Sequence, residues 1–205
     1  AKARSNLGLM ALRGQGLPQD TDTALTLLRR SARNDEPASQ YMVGTMYYRG
    51  IGVECDYRQA ARWLKRAAEQ DYAPAQNMLG SLYEQGHGVI QTAAKAEYWY
   101  RRAAEQDYLP ARQNLGLLHL RTTGDDATAL ALIKPLAEAG HPQAQGALGL
   151  MYYDGRGVQQ DDKQAYTWCR KAAEQGVAAA RHALGVMYDA GRGTDRDYAA
   201  SVHWY

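Results

Sequence analysis

Histidine and cysteine are the side chains of this sequence with the clearest capacity to hold a metal or to act as catalytic groups. The histidines are spread along the chain, no His-x3-His pair occurs, and Cys55 and Cys169 are far apart. Zinc sites and Ser-His-Asp or Cys-His sets need groups with a defined spacing or role, and none can be assembled here. We therefore expect no catalytic residue, no metal site, no cofactor and no disulfide, with both thiols small and partly buried. The histidines are His87, His119, His141, His182 and His203.

Paired glycines are the second candidate, because glycine-rich loops can cradle a phosphate. Nucleotide-binding loops join a strand to a helix and carry a third glycine or a Gly-Lys-Ser/Thr ending, and these pairs have neither. We interpret them as loops that end helices, where glycine takes the left-handed conformation and the following Val or Leu fills the gap between two helices. The pairs are Gly14/Gly16, Gly50/Gly52, Gly86/Gly88, Gly155/Gly157 and Gly191/Gly193.

Aspartates follow these loops at a constant distance, four residues past the second glycine. That position suits the start of a helix, where a carboxylate accepts hydrogen bonds from free amides, so we expect helix caps rather than general acids. After the pair Gly86/Gly88 the residue at this position is Thr92, which should be a weaker cap. Basic residues near the end of the following helix, Arg66, Arg102 and Lys171, suit the helix dipole on a solvated face. The capping aspartates are Asp20, Asp56, Asp161 and Asp197.

All of these residues lie at regular positions of a sequence repeat. Leu-Gly or Val-Gly pairs recur with spacings of 36, 36, 36, 33 and 36 residues, which is typical of a repeat array. A glycine inside a helix costs about 1 kcal/mol relative to alanine, so we expect close backbone packing to compensate for it. The pairs are Leu7-Gly8, Val43-Gly44, Leu79-Gly80, Leu115-Gly116, Leu148-Gly149 and Leu184-Gly185.

Each copy has two halves with helical periodicity. In the first half a small residue, Leu and Tyr recur every four residues, as in Ala75, Leu79 and Tyr83. Proline lies just before this helix in four copies, where the first turn needs no amide donor. The second half places Trp among alanines. The pattern predicts an all-α fold of helix pairs.

The motif Ala75-x3-Leu79-Gly80-x2-Tyr83-x2-Gly86-x-Gly88-Val89, followed by Ala, Trp and Lys/Arg-Ala-Ala-Glu-Gln, resembles the Sel1-like repeat family, which is related to the tetratricopeptide repeats. The resemblance implies a right-handed α/α superhelix, a solenoid of antiparallel helix pairs with about six repeats. It also implies a bacterial adaptor or scaffold that binds proteins. Some relatives with a disulfide in every repeat are associated with penicillin binding or β-lactam hydrolysis, but this chain lacks those cysteine pairs.

The domain prediction is one repeat array over residues 1–205, cut from a longer protein at both ends. The expected repeats are 3–38, 39–74, 75–110, 111–143, 144–179 and a truncated 180–205. The net charge of +2 makes nucleic acid an unfavourable partner, and no apolar run is long enough to span a bilayer. The resemblance favours the periplasm or cell envelope, whereas the residues leave compartment and oligomeric state open.

The fourth copy departs from the pattern. It is three residues shorter, has Thr122-Thr123-Gly124-Asp125 in place of the Gly-x-Gly loop, and carries Pro135 inside its second helix. An internal proline removes a helical hydrogen bond and clashes with the previous turn. We expect irregular stacking and a kinked helix there.

The expected function is non-enzymatic binding of a peptide or partner domain on the concave surface of the first helices. Tyr47, Tyr83, Tyr152 and Tyr188 lie on the Leu face and should belong to the core. The alternatives are a structural spacer, a cell-wall or β-lactam enzyme, and, for Tyr48 and Tyr153, simple packing against the next repeat. The candidate binding residues, counted from each Leu-Gly pair, are Tyr41, Thr45, Tyr48, Arg49, Asn77, Ser81, Glu84, Gln113, Leu117, Leu120, Arg121, Leu150, Tyr153, Asp154, His182, Val186 and Asp189.

Overall fold

The computed structural model describes residues 2–16 and 18–205, and this part of the chain contains helices and no strand. The first helices of the six copies are α1 (Lys2–Arg13), α3 (Pro37–Arg49), α5 (Ala73–Gln85), α7 (Leu109–Leu118), α9 (Pro142–Asp154) and α11 (Ala178–Ala190). The second helices are α2 (Thr21–Ala32), α4 (Tyr57–Glu69), α6 (Ala93–Ala104), α8 (Asp126–Glu138), α10 (Asp162–Glu174) and α12 (Tyr198–Trp204).

The helices form two compact units, Ala1–Ala111 and Arg112–Tyr205, and the boundary lies inside α7. In the first unit α1 to α6 pack in chain order, and in the second unit α8 to α12 do the same. The predicted all-α solenoid of helix pairs is therefore confirmed. That all six copies form one array stays a prediction.

The glycine of each Leu-Gly pair lies against the second helix of its own copy. A Cβ atom on Gly80 would lie 2.7 Å from the Tyr100 ring and 3.2 Å from the carbonyl oxygen of Ala96. On Gly149 it would lie 2.6 Å from Cys169 Sγ. These separations are shorter than van der Waals contact, so the expected close packing between the helices of a pair is confirmed.

The paired glycines also behave as predicted. Gly50, Gly86, Gly155 and Gly191 end first helices with φ between 67° and 74°. The second glycine of a pair approaches the preceding copy. A Cβ atom on Gly88 would lie 2.2 Å from the carbonyl oxygen of Tyr57.

Four aspartates cap second helices, as expected: Asp20, Asp56, Asp161 and Asp197 accept hydrogen bonds from amides of the first turn. The prediction for Thr92 is wrong, because its side chain makes no capping hydrogen bond. Its Oγ1 instead donates to the carbonyl oxygen of Ile90 at 3.1 Å. A side chain that bonds to the backbone behind it is no longer available to the helix ahead.

The fourth copy replaces the glycine loop with a π-helical turn, His119–Thr123, which continues from α7. Gly124 ends this turn with φ 66°, and its amide donates to the carbonyl oxygen of His119 at 3.1 Å. Asp125 then caps α8, which runs through Pro135 as one helix. The kink at Pro135 stays a prediction.

A second set of contacts joins consecutive copies through glutamine. Gln76 is fully buried, and its Nε2 donates to the carbonyl oxygen of Ala68 at 3.1 Å. Gln106 donates to Gln76 Oε1 at 2.7 Å, and Gln175 donates to Gln145 in the same way at 2.7 Å. The carbonyl oxygen of Ala68 accepts the Gln76 bond in addition to one from the amide of Asp71, and the Gln–Gln bonds link side chains of consecutive copies.

The basic residues near the ends of second helices do more than face solvent. Arg66 lies over the Trp63 ring at 4.9 Å and Lys171 over the Trp168 ring at 4.4 Å. Arg102 lies over Trp99 at 5.6 Å and also pairs with Asp71. Arg66 and Lys171 are exposed, as expected, and the cation–π contacts with tryptophan are an addition to that expectation.

Candidate partner-binding surface

The predicted binding residues lie on first helices or on the π-helical turn, and none of them is fully buried. This placement agrees with the helical count from each Leu-Gly pair. The two units bring different groups of these side chains together.

In the second unit, five candidates line one cleft: Leu117, Leu120, Arg121, Leu150 and Asp154. We call it the leucine cleft. Ala147, Met151 and Arg156 complete its lining, and its volume is about 220 Å³. The leucines form an apolar floor between α7 with its π-helical turn and α9. Exposed Arg121 and Asp154 place both signs of charge at the rim.

Arg156 lies at the edge of the leucine cleft, where hydrogen bonds fix its position. Its Nη2 donates to the carbonyl oxygen of Leu120 at 2.7 Å and to Asp126 Oδ1 at 2.6 Å, while its Nε lies 3.3 Å from Asp126 Oδ2. Such a two-point pair fixes the planar guanidinium. Sequence reasoning missed Arg156, because it treated this position only as part of a helix-ending loop.

The same arrangement recurs one copy later. Arg192 donates to Asp162 Oδ1 at 2.6 Å and to the carbonyl oxygen of Tyr153 at 3.1 Å, and its guanidinium lies 3.7 Å from the centre of the Tyr153 ring. The hydrogen bond from Arg192 lowers the pKa of Asp162. Tyr153 therefore packs against the next copy, as the alternative interpretation had it. A spacing of 30 residues links Asp126 to Arg156 and Asp162 to Arg192, and this is the signal that could have revealed both pairs.

In the first unit Tyr48 has a comparable position but different neighbours. Its ring centre lies 5.4 Å from that of Tyr57 and 6.2 Å from that of His87. The Tyr57 and His87 rings stack at 4.5 Å with an angle of 9°. Tyr48 also packs against the next copy. Exposed Cys55 donates from Sγ to the carbonyl oxygen of Tyr48 at 3.3 Å, and its proximity raises the pKa of Tyr57.

Tyr41 belongs to a tyrosine cluster that the sequence did not indicate. Its ring centre lies 5.6 Å from that of Tyr72. Burial, followed by the proximity of Tyr41, raises the pKa of both Tyr72 and Tyr108. Tyr72 and Tyr108 precede first helices, so counting positions inside the helices missed them. Each lies directly before a first helix at the same position of the repeat, and this is a signal that could have found them.

Hydrogen bonds within the first unit hold three further candidates. Thr45 Oγ1 donates to the carbonyl oxygen of Tyr41 at 2.9 Å. Ser81 Oγ accepts from Gln85 Nε2 at 3.2 Å, and Glu84 Oε2 accepts from the hydroxyl of buried Tyr100 at 2.8 Å. The other candidates lie outside the leucine cleft: Arg49 and Asn77 on α3 and α5, Gln113 on α7, and His182, Val186 and Asp189 on α11.

The four tyrosines assigned to the core are half-buried. Tyr47 and Tyr83 pack on the core of the first unit and Tyr152 on that of the second. The Tyr47 hydroxyl accepts a hydrogen bond from Arg29, and the hydroxyls of Tyr188 and Tyr166 are 2.7 Å apart. The hydroxyl groups of Tyr47 and Tyr188 thus have hydrogen-bond partners within the stack.

The cysteines have different surroundings. Cys169 is fully buried, and this burial raises the pKa of its thiol to about 12. Cys55 is exposed, so the expectation of a partly buried thiol is wrong there. Over residues 2–16 and 18–205, no three His, Cys, Asp or Glu side chains are grouped so that they could bind a metal. The helices of the same residues are too short or too polar to cross a bilayer.

Stacked helix pairs with framework residues inside and variable residues on the first helices define an α-solenoid repeat protein. The model of the Sel1 repeat family matches residues 1–36, 37–72, 73–108, 142–177 and 178–205. The chain belongs to the Sel1 repeat family. Members of this family generally act as protein-interaction scaffolds and are typically not enzymes.

Solved bacterial structures agree. The c5321 protein of uropathogenic Escherichia coli, a protective antigen displaying an SLR fold, is 33% identical over 99% of this chain, with a TM-score of 0.83. A Sel1 repeat protein from Oxalobacter formigenes is 32% identical over 99% of the chain, with a TM-score of 0.76. The chain covers 44% of the first protein and 60% of the second.

A more distant match shares the fold alone. The immunity protein Pa5087 from Pseudomonas aeruginosa is 18% identical over 100% of this chain and 75% of its own, with a TM-score of 0.56. Comparison with curated protein sequences gives no match.

Proposed function

We propose that this chain is a non-enzymatic interaction module that binds a peptide or a partner domain on its first-helix surface. Its main anchor is the leucine cleft. The observation that carries the proposal is the convergence of Leu117, Leu120 and Leu150 on one cleft between two copies of the second unit. A half-exposed apolar cleft with a charged rim is the usual setting for the few side chains that dominate binding.

The cleft is suited to one bulky apolar side chain. Its volume of about 220 Å³ is smaller than the usual ligand pocket, which takes roughly 300–1,000 Å³. Arg121 and Asp154 can then pair with charged or polar groups on either side of that anchor. Arg156 serves as a fixed wall, because its guanidinium is already bound to Asp126 and Leu120.

The aromatic candidates on the first helices contribute less. Tyr48 and Tyr153 are engaged with the next copy, so each offers only an edge to a partner. Tyr41, with Tyr72 and Tyr108, is the better secondary contact. We propose it as a second contact surface within the first unit.

A selection experiment tests the anchor. Random peptides displayed on phage are selected on the purified chain, and recovered peptides are titrated against Leu150→Glu and against Val202→Glu. Both changes put a carboxylate in place of an aliphatic side chain in the second unit, but Val202 is 76% exposed on α12, outside the cleft. We expect Leu150→Glu to weaken binding at least about tenfold and Val202→Glu to leave it unchanged.

Thermal unfolding of each variant separates lost binding from lost fold, and Arg121→Ala provides a variant at the exposed rim. Tyr48→Ala and Tyr153→Ala should have smaller effects on affinity. Peptides that bind Leu150→Glu and Arg121→Ala as well as the unaltered chain would contradict the proposal. A selection without any enriched peptide would favour the structural spacer.

A further inference from the structure

A second cleft lies in the first unit, between α4 and the copy that follows it. Its apolar lining is Ala61, Leu79, Tyr83 and Val89, and its cationic lining is Arg58, Arg62 and Lys65. We call it the basic cleft. Gly88 completes the lining, and the volume is about 220 Å³.

The three cations lie along one face of α4, because residues spaced by four and by three are neighbours on a helix. All three are exposed. Lys65 reaches Glu69 at 3.6 Å, but this is an exposed pair that contributes little. The guanidinium groups of Arg58 and Arg62 make no hydrogen bond and no ion pair with any residue that the structure describes.

The surroundings add to the positive charge and to the apolar surface. Lys95 lies over the Tyr83 ring at 5.2 Å. Ile90, in the loop beside Arg58, is 86% exposed. The described lining of the basic cleft includes no acidic side chain. A partner bound in the basic cleft would contact apolar side chains with cationic side chains beside them.

The repeat itself shows that the two arginines are not framework residues. Arg58 and Arg62 lie two and six residues after the cap of α4. No other copy has arginine at either place, although Lys163 has the same charge as Arg58: the residues there are Asp22 and Thr26, Ala94 and Tyr98, Ala127 and Ala131, Lys163 and Thr167, and Ala199 and His203. The stack therefore does not need arginine at either position.

We propose that the basic cleft is a second docking surface, which accepts an acidic segment of a partner protein that carries a bulky apolar side chain. The apolar side chain enters between Leu79, Tyr83 and Val89, while carboxylates beside it pair with Arg58 and Arg62. Charge complementarity identifies this occupant, because arginine pairs with carboxylates through two parallel hydrogen bonds. The surface is separate from the leucine cleft and does not depend on it.

The test is a peptide array probed with the full chain. Each peptide has one central residue, varied through all amino acids, between flanks of Glu and Asp, and a duplicate set has Gln and Asn flanks. We expect binding when the centre is Leu, Ile, Met or Phe and the flanks are acidic, and weaker binding at higher salt. The best peptide is then titrated in solution.

Charge reversal provides the matched control. Arg58→Glu and Lys163→Glu change the charge equally at the same repeat position, and an acidic residue in the first turn suits both helices. Arg58→Glu should weaken binding at least about tenfold, and Lys163→Glu should leave it unchanged. Leu150→Glu should also have no effect, which keeps this test apart from that of the leucine cleft.

Three outcomes would overturn the proposal. One is an array with no preference for acidic over neutral flanks. A second is equal binding of peptides with Ser and Phe at the centre, which would reduce the cleft to a general attraction for anions. The third is equal weakening by Arg58→Glu and Lys163→Glu.

Discussion

In the first unit His87, between two loop glycines, stacks on Tyr57 of the preceding copy. In the second unit Arg192 takes the same place in its loop and pairs with Asp162, at the position of Tyr57. The backbone is alike in both, since Gly88 and Gly193 each approach the carbonyl group of that preceding residue. We call this contact between consecutive copies a junction. With a similar backbone, the junction is aromatic in the first unit and ionic in the second.

This difference separates two kinds of residue. Glycines and capping aspartates fix the geometry of most copies, whereas the residues between and beside them set the surface chemistry of each contact between copies. The second unit combines Arg–Asp junctions with the leucine cleft. The first unit combines tyrosines and His87 with the basic cleft. Predictions for the shared framework should therefore hold in both units, and predictions for the junctions should differ.

The largest expected effect concerns the packing within helix pairs, which both units share. Gly80→Leu and Gly149→Leu should each destabilise the chain by about 3 kcal/mol or more, because the new side chain overlaps Tyr100 or Cys169. Urea unfolding followed by circular dichroism measures this. An unchanged unfolding midpoint for one variant alone would show that the two units are not equivalent at this position.

A smaller loss is expected at the second loop glycine. A Cβ atom on Gly88 would lie 2.2 Å from the Tyr57 oxygen and on Gly193 2.0 Å from the Asp162 oxygen, and both glycines have positive φ. Gly88→Ala and Gly193→Ala should each cost about 2–3 kcal/mol.

Gly124→Ala is the control for this change. Gly124 also has positive φ, but apart from its chain neighbours no residue that the structure describes lies within 4 Å of its Cβ position, so only backbone strain of about 1 kcal/mol remains. Similar losses of stability in all three variants would show that the approach to the preceding copy does not matter.

The junctions themselves are compared by double-mutant cycles. The coupling energy between His87 and Tyr57 should be about 0.5–1.5 kcal/mol and insensitive to salt. The coupling between Arg192 and Asp162 should be about 1 kcal/mol or less, since both side chains are partly exposed, and it should fall as salt is added. Equal salt dependence of the two couplings would remove the distinction between the units.

The smallest effect is the pH dependence of the ionic junction. The pKa of Asp162 is lowered in the folded chain, so its stabilising contribution is present above the unfolded value of about 3.9 and is lost as the pH falls through the folded value. Asp162→Asn should therefore destabilise the chain at neutral pH and lose this effect in acid. If the difference in unfolding free energy between Asp162→Asn and the unaltered chain is independent of pH, the Arg192–Asp162 ion pair does not stabilise the fold.

Local patterns made much of the fold predictable. Gly80, Gly88 and Asp56 act within a few residues of their own helix, or at a fixed point of the repeat, and their roles follow from residue type and spacing. The cap at Thr92 failed because a hydroxyl can bond to the backbone behind it instead of the amides ahead.

Contacts between copies were harder to predict. Arg156 with Asp126 and Gln106 with Gln76 join residues 30 positions apart, and only the register of neighbouring copies brings them together. The leucine cleft was predicted as separate residues on a surface. Its closure depends on the π-helical turn after α7, which the loss of the glycine loop in the fourth copy did not specify.

The most direct test of the central claim, that the leucine cleft anchors a partner, is a methyl NMR titration with a peptide from the phage selection. We expect the methyl signals of Leu117, Leu120 and Leu150 to shift with a common affinity, while those of Leu64 in the core of the first unit remain in place. Methyl shifts confined to residues outside the leucine cleft, such as Val89 and Ile90 at the basic cleft, would contradict it.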